Sequence, residues 1–355
     1  MFRAKNDFLL NQPLRTLGFT ILVSCYAVGC LQENPTEPFQ TPGEDVSLQE
    51  ITTGTNPIVS PRGTELGFLR SRRIYMSDLD GNNVVQLTDG NFRAEAIRWS
   101  PDGAKIGFVQ IDEIRWLNNK LMAVDVASKN IVSIAANDTV DRFENFLFAW
   151  DWAPDNSKIA FFRYSTGDRV LKIIKNDGSG ETLREYAASE FSWSPDGSLI
   201  AYLSNWKYYT DTVSAFVARV GTGTSVKLPT EESHLFYVKW TPSNNFISYL
   251  PRTSLLAIYD IILEKTVKRI VLGSSFHPFV KFSPDGDKIA YVYRQYDSNP
   301  DAKRYVSLYV NDIITDERKL LVTSYPGIAN FEWASSSNEL FYEHEEKIFK
   351  VKTSK

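Results

Sequence analysis

Three histidines, His234, His277 and His344, are all the imidazole chemistry that 355 residues offer. A neutral imidazole holds a divalent cation at about 2 Å, so three of them gathered at one point would make a metal site. Acyl-transfer chemistry has no matching constellation, because the G-x-S-x-G elbow that exposes a nucleophilic serine is absent. Asp78-Leu79-Asp80-Gly81-Asn82-Asn83 has a calcium-loop look. Its glycine comes too early and no Glu follows at the needed spacing, which favours a plain hairpin turn. The remaining resource is aromatic. Trp116, Trp206, Tyr208, Tyr209 and Tyr296 stand in polar stretches, and exposed rings on a rigid scaffold anchor proteins or sugar rings.

The elements that must position these residues are visible as repeats. A phrase runs Val59-Ser-Pro-Arg-Gly, Trp99-Ser-Pro-Asp-Gly, Trp152-Ala-Pro-Asp-Asn, Trp193-Ser-Pro-Asp-Gly, Trp240-Thr-Pro-Ser-Asn, Phe282-Ser-Pro-Asp-Gly and, most weakly, Trp333-Ala-Ser-Ser-Ser. The starts lie 40, 53, 41, 47, 42 and 51 residues apart. Pro presets φ at the second position of a type I turn and Gly takes the left-handed conformation that re-enters a strand. Each turn therefore joins two antiparallel strands. After it come Ile or Leu, a small residue and an aromatic, as in Ile106-Gly107-Phe108 and Ile200-Ala201-Tyr202. Period-two alternation puts the two large residues on one face and the small one on the other. The large face of one unit can then pack on the small face of the next.

Each phrase is followed by two more β-rich segments, such as Arg73–Ser77 and Val84–Thr88 around Asp80-Gly81. Four short antiparallel strands in 40–53 residues make a propeller blade. The expected fold is an all-β, seven-bladed β-propeller of four-stranded antiparallel blades. The seventh repeat supplies only three strands. The segment 46–52 resembles an outer strand, so it is expected to pair with the last blade and close the ring, removing an open edge.

Within that ring His234, His277 and His344 map to the face that carries the connections between second and third strands and between blades. The insertions 110–120, 204–211 and 294–304, which hold Trp116, Trp206, Tyr208, Tyr209 and Tyr296, fall there too. These eight residues form the candidate binding face. Against them stands a plainer reading, with scattered hydrogen-bonded imidazoles and rings that cover the rim. The Trp and Phe of the repeat phrase read as blade core.

Residues 1–29 read as a signal peptide of lipoprotein type: Arg3, Lys5 and Arg15, then an apolar run from Leu17 to Val28. The run is too short for the ~20 apolar residues of a spanning helix. It ends in Ala27-Val28-Gly29-Cys30, while Leu22-Val23-Ser24-Cys25 offers a second pattern. Both resemble the lipobox of bacterial lipoproteins, whose cysteine is lipidated; Cys30 is favoured, with Cys25 as the alternative and an ordinary cleaved signal as the third. A polar, Pro-rich tether spans 30–45 and the propeller 46–355. No cysteine follows residue 30, so a structural disulfide in the propeller is excluded. A net charge of −4 disfavours nucleic acid, and 43% hydrophobic with 13% aromatic content excludes disorder.

The W-S-P-D-G-x-x-I-A-F/Y phrase is similar to the repeat of the TolB family of WD-repeat-like propellers, over nearly all of 46–355. The resemblance implies the fold strongly and the function weakly, because the repeat also occurs in peptidase propellers, sugar lyases and envelope lipoproteins. TolB itself has a separate N-terminal α/β domain and six blades, so its role in the Tol–Pal system is not carried over. Seven-bladed oligogalacturonate lyases of similar repeat bind a divalent metal with histidines, but their His-rich signature is missing here. The expected function is a lipid-anchored module of the bacterial cell envelope, periplasmic or surface-facing at the outer membrane. It would bind a protein partner or assemble a complex without catalysis, as a monomeric body with no cofactor and no metal. The alternative is a carbohydrate-binding protein or a metal-dependent polysaccharide lyase of oligogalacturonate type, with a glycan as ligand.

Overall fold

Each Ser-Pro-Asp-Gly phrase folds as the tight turn its residues dictate. Gly103, Gly197 and Gly286 have φ of 71°, 70° and 82°, and each donates its N–H to the carbonyl of the serine three residues earlier. That serine also caps the turn from inside. Ser100 Oγ accepts from Lys105 N at 2.9 Å and donates to Asp102 Oδ1 at 2.6 Å. Ser194 with Asp196 and Ser283 with Asp285 repeat the arrangement. In two of the three phrases that lack the glycine, Asn156 and Ser337 take its conformation, at φ 60° and 59°.

The computed structural model describes residues 47–353, apart from 90–91, 112–118, 136–149, 166–167, 187–189, 205–212, 233, 252–254, 273–278, 295–304 and 326. All its strands fall into seven four-stranded antiparallel sheets, in which sequential strands are neighbours. The first strand of each sheet is innermost, and first strands of successive sheets lie against one another, Phe191–Trp193 beside Tyr237–Trp240 and Thr55–Val59 beside both Arg93–Trp99 and Phe331–Trp333. This is a seven-bladed propeller. Blades 1 to 6 occupy 55–86, 93–133, 150–186, 191–227, 237–271 and 280–324.

Blade 7 is built from both ends of the propeller. Phe331–Trp333, Glu339–His344 and Lys347–Lys352 supply three strands, and Leu48–Thr53 pairs with the last of them, Leu48 opposite Val351 and Thr53 opposite Lys347. The closing strand is therefore where the sequence predicts it, one to two residues later and with a bulge between Glu50 and Thr52. Lys350 Nζ–Asp80 at 2.6 Å then ties blade 7 to blade 1. One outer strand is shorter than expected, Val85–Gln86 in place of 84–88. Thr88 explains it: its hydroxyl, in place of a backbone carbonyl, accepts from Ile74 N at 3.0 Å.

The alternation of large and small residues builds the inter-blade core. Ile106 and Phe108 pack with Ile58, Leu69 and Ile74 of the preceding blade, while Gly107 faces Trp150 and Trp152 of the next. Ala201 lies likewise in a cluster with Trp240 and Tyr249 of the following blade. The repeat tryptophans Trp99, Trp152, Trp193, Trp240 and Trp333 are buried, and Phe282 is half-buried against its cluster. The inner turns interlock as well. A β-carbon on Gly103, Gly197 or Gly286 would meet Pro61, Pro154 or Pro242 of the preceding blade at ordinary contact distance. The Asp78–Asn83 segment is a hairpin turn in which Asp78 Oδ1 accepts from Asp80 N and Asn82 N.

Candidate functional site

The innermost strands carry one repeating position whose charged side chains are partly exposed. In each repeat the residue just before the Trp, Phe or Val of the turn phrase occupies one equivalent position: Ile58, Arg98, Asp151, Ser192, Lys239, Lys281 and Glu332. Five of the seven are charged, and they pair across neighbouring blades. Arg98 Nε donates to the Trp150 carbonyl at 2.8 Å and lies 3.8 Å from Asp151 Oδ1. Lys281 Nζ stands 2.7 Å from Glu332 Oε2 and over the Phe331 ring. Lys239 Nζ reaches Glu190 at 3.1 Å and the Phe191 carbonyl at 3.0 Å. Arg98 and Asp151 are 42% and 52% exposed and Lys281 is 40% exposed. Ion pairs this exposed add at most about 1 kcal/mol to stability. What they can offer chemically is a set of fixed, half-exposed charges of both signs, the basis of electrostatic complementarity.

This column of charges is the site feature that reading the sequence for histidines and loop aromatics missed. Its signal was present, as a position charged in five repeats beside a position that is otherwise aromatic.

A second polar cluster sits where blade 4 passes to blade 5. Arg269 Nη2 pairs with Glu231 at 2.8 Å and Glu232 at 2.9 Å, and Tyr249 Oη donates to Glu232 Oε2 at 2.7 Å. Partial burial works to raise the Glu232 carboxyl, but the Tyr249 and Arg269 hydrogen bonds outweigh it and hold the group below its ordinary 4.5. Burial pushes the Tyr249 hydroxyl up, so it remains a donor.

Two of the three histidines are described. His234 follows these carboxylates in the connection to blade 5, half-buried and with a left-handed backbone at φ 61°. His344 ends the second strand of blade 7. Its Nδ1 lies 3.0 Å from the Gly327 carbonyl and 2.9 Å from Ser324 Oγ, so it ties the incoming loop to its own hairpin. His277, Trp116, Trp206, Tyr208, Tyr209 and Tyr296 lie outside the described residues, as do Cys25 and Cys30. The insertions themselves fall between second and third strands, as the boundaries Ile111/Lys120, Ser204/Ser214 and Arg294/Val306 require. Among the described residues no three His, Cys, Asp or Glu side chains converge as a metal site requires, and the His344 ring is engaged by Gly327 and Ser324.

No protein-family model matches the chain. A protein described as a TolB homolog, from Chlorobaculum tepidum, is 29% identical over 138 residues, covering 38% of this chain and 29% of its own length. Dipeptidyl-peptidase 5 of Porphyromonas gingivalis is 22% identical over 316 residues, covering 77% of this chain and 40% of its own length. The chain thus spans well under half the length of these curated relatives. Among solved structures, an oligogalacturonate lyase of Vibrio parahaemolyticus superposes with a TM-score of 0.66 at 14% identity, over 88% of this chain and 92% of its own. At that identity the likeness is one of fold. By repeat, blade and ring, this chain is a TolB-like β-propeller.

Proposed function

We propose that this protein is a lipid-anchored module of the bacterial cell envelope, non-catalytic, that binds a protein partner through its channel rim. In this reading residues 1–29 are the signal peptide, Cys30 carries the lipid, 30–45 form the tether and the propeller follows. The observation that carries the binding role is the column of inner-strand charges, Arg98, Asp151, Lys239, Lys281 and Glu332, held half-exposed on a closed ring. Similarity to a TolB homolog supports a protein-binding rather than a chemical role. Cross-linking pull-down from envelopes tests it: wild type retains a defined partner, and Arg98→Glu with Lys281→Glu loses it while remaining folded.

The second reading, a glycan-binding protein or oligogalacturonate-type lyase, draws on the likeness of fold to that lyase over nearly the whole chain. Incubation with acidic and neutral glycans, with and without EDTA, separates the two. Product formation or an EDTA-sensitive thermal shift favours the lyase reading and removes the first.

A further inference from the structure

The ring face that carries the inner turns also carries the outer hairpin turns, which join the third to the fourth strand of each blade. In blades 3 and 4 those tips are polar, Asn176-Asp177-Gly178-Ser179-Gly180 and Gly221-Thr222-Gly223-Thr224. In blades 5 and 6 they are aliphatic: Ile262 and Leu263 are 49% and 59% exposed and Ile314 is 66% exposed. The tips are rigid. Asp260 Oδ1 accepts from Ile262 N and Leu263 N, and Asp312 Oδ1 accepts from Ile314 N and Thr315 N. The pinned turns therefore hold these aliphatic side chains at fixed, exposed positions.

These tips belong to one continuous sector. Lys268, on the outer strand of blade 5, pairs with Asp316 at 2.8 Å and bonds the Ile313 carbonyl, holding the blade 6 tip beside exposed Val267. Lys319 Nζ donates to the Thr353 carbonyl at 3.2 Å and carries the surface on to blade 7. There Leu48, half-exposed opposite Val351, begins the closing strand. The described chain therefore enters the propeller on this same sector.

We infer that the sector formed by blades 5 to 7 rests on a lipid bilayer, with Ile262, Leu263 and Ile314 at the headgroup boundary. The inference deepens the lipid-anchor reading and rests on it. Aliphatic tips standing apart, with Lys265 on the strand that follows the first, suit an interface where apolar groups dip and an ammonium group stays with the headgroups. A protein interface would instead gather aromatic residues and Arg in one packed centre. Length agrees. The 17 residues from 31 to 47 can reach at most about 60 Å at full extension, so a lipid on Cys30 would hold this sector within that distance of the membrane. The opposite face, with the blade-to-blade connections, then points away from the lipid.

The test uses the full, processed chain on vesicles of phosphatidylethanolamine and phosphatidylglycerol, with an environment-sensitive fluorophore on Leu263→Cys, Ile314→Cys or, as control, Thr222→Cys, each in a Cys25→Ser background. Emission at 263 and 314 is expected to shift to the blue and to be quenched by nitroxide lipids, while 222 stays water-like. Water-like emission at all three sites, or a shift at all three, overturns the inference. The anchor is read separately, as acyl mass lost in Cys30→Ser. In the Cys25→Ser/Cys30→Ser chain, Leu263→Asp with Ile314→Asp is expected to weaken vesicle binding about tenfold at unchanged Tm. Unchanged binding there overturns the inference whether or not the anchor exists.

Discussion

Gly107 lies directly beneath the indole of Trp150: a β-carbon at Gly107 would stand 2.3 Å from Trp150 Cη2 and 3.1 Å from Trp152 Cζ2. The repeat's small position is thus the seat for the next blade's tryptophans. Trp150 is fixed from its other end, since its Nε1 donates to the Ala96 carbonyl at 2.9 Å, so it cannot swing aside. Gly107→Val is expected to cost about 3 kcal/mol through overpacking. Chemical denaturation measures it, and Ala160→Gly, which opens space at the equivalent position one blade on, serves as the contrast with a smaller loss.

Ring closure makes a second prediction. Gly81, in the outer turn of blade 1, has φ 80°, and a β-carbon there would stand 2.3 Å from the Ile51 carbonyl of the closing strand. Gly178 abuts the Ile134 carbonyl in the same way, so this approach is a device of the fold. Gly81→Ala is expected to destabilise by about 2 kcal/mol, combining strain at positive φ with the clash. Hydrogen exchange should show the loss concentrated in the Leu48–Thr53 pairing with blade 7.

Acid sensitivity follows from the inner turns. For Asp102, Asp155, Asp196 and Asp285, partial burial works to raise the carboxyl, but serine hydroxyl and backbone N–H donors outweigh it and hold each below its ordinary 3.8. A depressed folded pKa stabilises above the unfolded value and is lost as pH falls through the folded one. Wild-type Tm should therefore fall on acidification below 3.8. Asp196→Asn should lower Tm at neutral pH and flatten that acid-side fall. An unchanged acid profile in Asp196→Asn contradicts the assignment.

A stabilising change is available in the blade 1 hairpin. Ser71 and Arg72 form its two-residue turn with φ of 48° and 64°, the conformation that Asn-Gly adopts without strain. Ser71→Asn with Arg72→Gly is expected to raise stability by about 1 kcal/mol. The Arg72 carbonyl that accepts from Ala94 N is kept.

The ring was legible in the sequence because a propeller blade cannot bury its faces alone, so each copy repeats the same turn and the same large–small–large triplet. Closure was legible because Val46–Thr52 copies an outer strand that the seventh repeat lacks. The rim charges Arg98, Asp151, Lys281 and Glu332 stood at a repeating position but were hidden by their variety, since recognition needs them to differ from blade to blade. The Glu232–Arg269 pair left no local trace, because Glu232 lies in the connection into blade 5 and Arg269 on that blade's outer strand, 37 residues later. His344 stood among the candidate binding-face residues by its type and its place in the seventh repeat. Only the folded hairpin shows Gly327 and Ser324 taking its ring.

Site-specific photo-cross-linking in intact cells asks whether the charged rim receives a protein partner. A photoreactive residue replaces Ser192 on the rim or, as control, Lys129 on an outer turn. One discrete protein adduct is expected from position 192, absent from 129 and reduced about tenfold by Arg98→Glu with Lys281→Glu at unchanged Tm. No adduct from the rim, or an adduct indifferent to those charge reversals, contradicts it.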